Sequence, residues 1–158
     1  MSALGTPAWI RPDEWELPLF LHVLGALTLL GTLVLTSLLM VQAARGGSAA
    51  NLRLGLRVFS FGVIPAWIVM RVAAEWIASE EGFNDVAEPP TWIDFGYIAG
   101  DAGLLFLIIA GVCGRIAYKR SGGEDAEPAT TAKVAAAALC LMVVVNLVAL
   151  WAMTTKPA

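Results

Sequence analysis

Four apolar stretches, about Leu17 to Ala44, Leu54 to Ala78, Ile93 to Tyr118 and Ala132 to Met153, constrain this chain more than any other feature. Each reaches or exceeds the roughly 20 residues that carry an α-helix across a bilayer. In hydrocarbon a backbone segment must satisfy its own hydrogen bonds, so stretches of this length are expected to be helices. The expectation is an all-α chain: a transmembrane antiparallel four-helix bundle, one integral membrane domain over residues 1–158, since short connections join neighbouring helices. Within these 158 residues the segments between spans leave no room for an extramembrane catalytic domain, so any chemistry belongs to the bundle or its rims.

Composition agrees, with 58% hydrophobic and 15% charged residues against about 45–50% and 25% in soluble chains. The net charge of −3 is too small to suggest a nucleic-acid partner. The first span differs from a secretory signal, which has a positive leader and a short apolar core, because Asp13, Glu14 and Glu16 precede a much longer stretch. Cys113 and Cys140 lie inside spans without CxxC spacing or a neighbouring histidine, so they read as small apolar residues.

Orientation follows from Lys and Arg near the ends of the spans. Arg45, Arg53 and Arg57 belong to the first connection, and Arg115, Lys119, Arg120 and Lys133 flank the third. The opposite side carries only Arg11 and Lys156, while Glu80, Glu81, Asp85, Glu88 and Asp94 cluster around the second connection. Both termini are therefore expected outside. Indole rings favour the headgroup region, and Trp15, Trp76, Trp92 and Trp151 all fall at expected outer ends. Gly46, Gly47 and Ser48 end the first helix, Ser121, Gly122 and Gly123 open a loop closing near Pro128, and Gly82, Asn84, Pro89 and Pro90 mark the outer loop.

Membrane helices associate through small residues and polar contacts. The first helix offers His22, Gly25, Thr28, Thr32 and Thr36 at helical spacing, and the third offers Gly96, Gly100, Gly103, Gly111 and Gly114. Pro65 in the second span should leave the Phe61 carbonyl without its partner and kink the helix.

Ionisable groups inside spans cost about 2.5–3.5 kcal/mol each near the centre. His22, Arg71, Asp101 and Asn146 stand at one depth, roughly 7–11 Å below the outer rim at 1.5 Å per residue, and Glu75 lies one turn from Arg71. The central expectation is a polar cluster of His22, Arg71, Glu75, Asp101 and Asn146 in the outer half of the bundle. One reading makes it structural glue, with Arg71 neutralised by Asp101 or Glu75 and with His22 and Asn146 fixing register. The other makes it a site open to the outside: His22 offers an imidazole, Asp101 and Glu75 hold or pass protons, and Arg71 holds an anion. A single histidine excludes bis-His haem in a monomer, while His22 with Met70 or Met153 remains a ligand pair for haem or copper. There is no zinc motif, phosphate loop or nucleophile–base pair, so enzyme chemistry is poorly supported.

The segment Pro18-Leu-Phe-Leu-His22-Val-Leu-Gly25-Ala-Leu-Thr-Leu-Leu-Gly31 resembles the first helix of a family of small bacterial four-helix integral membrane proteins without an assigned activity. More distantly it resembles the helix-borne histidine of the copper-resistance D family and of the membrane protoporphyrinogen oxidases. The oxidases carry a lysine in their third helix, whereas the third span here carries Asp101 and no lysine. The resemblance covers the first helix and implies a bacterial cytoplasmic membrane location. The expected function is a multi-pass ligand-binding or assembly component in the lipid bilayer, within a homo-oligomer or larger membrane complex. The alternatives are a haem- or quinone-linked redox protein using His22, and a small oligomeric transporter.

Overall fold

A computed structural model describes residues 16–46, 48–82, 91–121 and 130–155, and they are helical almost throughout. The elements are α1 (Glu16–Ala44), α2 (Ala49–Val58), a π-helical turn (Phe59–Val63), α3 (Ile64–Glu80), α4 (Thr91–Arg120) and α5 (Thr130–Thr155). α2, the π turn and α3 run on as one span, so four helices are long and apolar enough to cross a membrane. Arg11, Asp13, Glu14, Trp15, Gly47, Asn84, Asp85, Glu88, Pro89, Pro90, Gly122, Gly123, Pro128 and Lys156 lie outside the described residues.

Local chemistry accounts for the element ends. Pro18 sits in the first turn of α1, where a missing N–H removes no intrahelical bond. Gly46 follows α1 with φ of 92°, a left-handed conformation open to glycine without strain. The second span begins at Ala49, earlier than its apolar stretch, because an amphipathic turn buries Leu52 and Gly55 and leaves Arg53 and Arg57 exposed. The irregularity expected at Pro65 takes a definite form. Deprived of an N–H at Pro65, the helix widens for one turn, and the Ile64 N–H donates to the Phe59 carbonyl five residues back.

α1 packs on the second span and on α5, α4 packs on α5, and α2 also touches α4. Leu29, Leu33, Met40, Phe59, Val63, Leu107, Leu139 and Met142 form the core. Outside it, large apolar side chains stand open, including Phe61 at 83% and Leu27 at 67% exposure. A soluble monomer seldom leaves such a surface uncovered, and a bilayer accounts for it.

The small residues of α1 divide in role. A Cβ on Gly25 would stand 2.8 Å from the Met70 backbone nitrogen, so two backbones touch there. Thr32 lies against Gly62, and its methyl occupies the place of a Gly62 side chain. The hydroxyls do not tie helices together: Thr32, Thr36 and Ser37 donate to carbonyls of α1 itself, at 2.7 Å to Thr28, Thr32 and Leu33. Thr28 is exposed, so the stripe is broken at that point.

On α4 the glycines act as sockets for side chains. Met153 enters at Gly96, the Arg71 side chain at Gly100, Trp67 and Met142 at Gly103, Phe59 at Gly111, and Leu56 with Met40 at Gly114. The second span and α4 therefore meet through large side chains across a gap, with glycine on one side.

These contacts make glycine substitutions position-specific. Gly25→Ala is expected to cost about 1–3 kcal/mol by overpacking, because the obstructing atoms are backbone. Gly31→Ala, with nothing within 4 Å of the new methyl, is expected to be neutral or to stabilise by about 0.5–1 kcal/mol through helix propensity. Unfolding of the detergent-purified variants, followed by circular dichroism, measures both.

Candidate functional site

The polar residues expected to cluster centre on α3. At the Gly25 contact, His22 of α1 places Nδ1 3.1 Å from the Met70 carbonyl. A carbonyl only accepts, so Nδ1 carries the proton and Nε2 is left as the acceptor in the neutral ring. The bond bolts α1 to α3 one residue before Arg71.

Arg71 turns the other way, toward α4. Its side chain lies over Gly100, with Nε 3.5 Å from where a Cβ would stand, and its guanidinium carbon is 4.8 Å from the centre of the Tyr97 ring. An aromatic face under a guanidinium contributes about 0.5–2 kcal/mol. Nη1 is 2.8 Å from Glu75 Oε1, one turn along α3, and Nη2 is 3.8 Å from Asp101 Oδ1 on α4. The Tyr97 hydroxyl donates to Glu75 Oε2 at 3.3 Å, so both oxygens of Glu75 are engaged.

The five expected residues therefore separate into three roles. Arg71, Glu75 and Asp101 come together as one ionic group. His22 adjoins it through the Met70 backbone. Asn146 donates to the Met142 carbonyl of its own helix at 2.9 Å, and no hydrogen bond links it to the ionic group. Tyr97 and Gly100 complete the seat. They were legible only in part: Gly100 stood out among the spaced glycines of the third span, and Tyr97 lies one turn before Asp101.

The charges do not balance. One guanidinium faces two carboxylates, and Glu75 makes the close contact with it. Asp101, at 3.8 Å, has its side chain 78% exposed on the flank of α4, compared with 24% for Arg71. The arrangement can hold a cation or a proton at Asp101 more readily than an anion at Arg71, whose charge is already matched. Among the described residues there is no group of three or more His, Cys, Asp or Glu side chains that could hold a metal ion.

Trp67, one turn before Arg71, carries a buried indole N–H without a hydrogen-bond partner and rests on Gly103. No family model, curated protein or solved structure matches this chain.

Removing Arg71 alone strands two carboxylates. Arg71→Leu is expected to destabilise by about 1–3 kcal/mol, below the 3–5 typical of fully buried pairs because Glu75 and Asp101 are partly open. Arg71→Leu with Glu75→Leu should recover much of that loss. Chemical unfolding of both single variants and the double variant closes the cycle.

Proposed function

We propose that this protein is an antiparallel four-helix membrane protein, with both termini outside, that works as an assembly component and docks a cation-bearing partner helix on α4 through Asp101. Support for the antiparallel order lies in the register of α1 with the second span, where Gly25 meets Met70, Thr32 meets Gly62 and Met40 meets Gly55. Numbers rise on one helix as they fall on the other. Support for the orientation comes from Arg45, Arg53, Arg57, Arg115, Lys119, Arg120 and Lys133, all exposed around the first and third connections.

The observation that carries the function is the exposed carboxylate of Asp101. A charge facing hydrocarbon at that depth costs several kcal/mol unless it is paired, and Arg71 is held more closely by Glu75. Asp94, Ile98, Asp101 and Leu105 are all exposed, at i, i+4, i+7 and i+11, which is the seam a second helix packs along. Arg115, the next cation along α4, is about 21 Å away along the axis. Among the described residues Arg71 is the one cation that reaches Asp101, and it is shared with Glu75, so the second cation that balances the two carboxylates would come from a different chain.

A photo-crosslinker at Leu105 in native membranes tests this reading. The expected result is one discrete adduct with a different protein, lost in Asp101→Asn and absent when the crosslinker sits at Val144 on α5. An adduct that survives Asp101→Asn, an adduct only with a second copy, or no adduct would overturn the reading.

The His22 geometry supports a second reading. An imidazole whose Nδ1–H is held by a backbone carbonyl presents Nε2 in the way metal-binding histidines do. As a haem-linked redox protein, the purified chain would show a Soret band that shifts with dithionite and disappears in His22→Ala. Colourless protein would leave His22 as the bolt between α1 and α3.

A further inference from the structure

The way the second span meets α4 leaves a space unused by the Asp101 site. Trp67 rests on Gly103 and Phe59 on Gly111, so two aromatic props hold the helices apart where each socket lacks a side chain. Between the props a groove of about 490 Å³ opens sideways, with Ser60, Ile64 and Trp67 on one wall and Leu104, Ile108 and Arg115 on the other. That volume falls in the range of ligand sites, and the lining is apolar except for Ser60 and Arg115.

Its length and charge identify the occupant. From Leu104 to Arg115 the groove runs about 16 Å along α4, close to half of the roughly 30 Å hydrocarbon thickness. That length matches one leaflet. Leu56 meets Gly114, so residues before 56 on α2 and after 114 on α4 lie beyond the same end of the groove. Arg53 and Lys119 are exposed there, with Arg57 and Arg115 exposed at the end itself, and Arg115 has no ion-pair partner among the described residues.

We propose that this groove is a binding site for an anionic phospholipid of the leaflet on the arginine-rich side. One acyl chain lies between Ile64 and Ile108 and reaches Trp67, while Arg115 holds the phosphate. Basic groups between membrane helices on that side are suited to anionic headgroups, and the props keep the groove open without a lipid to wedge it. The groove continues along the same side of α4 beyond Asp101, with Ile108 and Arg115 at i+7 and i+14, and its occupancy does not depend on a partner at Asp101.

Trp67 supplies the readout. The protein is placed in nanodiscs of phosphatidylcholine containing a minor fraction of phosphatidylglycerol, with bromine on the acyl chains of one lipid or the other. Quenching of Trp67 is taken as the difference between the native chain and Trp67→Phe. The expected result is stronger quenching by brominated phosphatidylglycerol than by an equal fraction of brominated phosphatidylcholine. Arg115→Gln should reduce that preference about fivefold, the effect of roughly one basic side chain at an anionic surface. Lys133→Gln should leave it unchanged, and Ser60→Phe, which fills the groove, should abolish it. Equal quenching by the two lipids, a preference that survives Arg115→Gln, or an unquenched Trp67 in a dimer seated groove to groove would overturn the proposal.

Discussion

Because lipid tails are as apolar as leucine, burying leucine between two membrane helices gains little, and the contacts that hold these helices together rest on shape. The shape is set where side chains are missing. Gly25 lets α1 touch the Met70 backbone, and the α4 glycines accept Trp67, Arg71, Phe59 and Leu56 from the second span. The first kind of contact brings two backbones together; the second keeps two helices a side chain apart. The difference gives the molecule a close-packed side and an open one. The Arg71 seat and the groove between Trp67 and Phe59 both lie on the open side, between the second span and α4.

Placement of the arginine follows from the same packing. A Cβ at position 100 would already be in contact with Arg71 at 3.5 Å, so a side chain longer than alanine's would obstruct the guanidinium's path across α4 toward Tyr97 and Asp101. The His22 bond one residue earlier fixes the depth and rotation of α3, so Arg71 is oriented from behind by α1 and received in front by α4. Glu75 then takes most of the charge and Asp101 is left at the surface. An excess carboxylate in that position is costly in isolation, and Arg71 at 3.8 Å is the cation that faces it among the described residues.

The existence of four spanning helices was legible because length and apolarity act locally: a backbone surrounded by hydrocarbon has few alternatives to the helix. The grouping of Arg71, Glu75 and Asp101 was legible from depth, since all three lie within a few turns of the span ends that flank the second connection. Less legible were the fates of the side chains that can bond at home. Thr32, Thr36 and Asn146 had the spacing of interhelical glue, yet each donates to its own helix, where an i−4 carbonyl is always within reach. The effect of Pro65 was legible as a disturbance, but its form as a π turn depends on how the neighbouring helices seat Phe59 and Val63, both buried in the core.

By itself the sequence determined the all-helical class, the number of spans, the concentration of basic residues beside the first and third connections and the shared depth of the polar groups. These follow from periodicity, length and charge along one dimension. Only the tertiary structure decided which way each helix turns about its own axis. Rotation separates a paired Glu75 from an exposed Asp101, sends His22 to a backbone carbonyl, and turns a glycine stripe into sockets with a groove between them. Spacing along a helix fixes which residues share a face, but the neighbour that face meets is chosen by packing among all four helices at once.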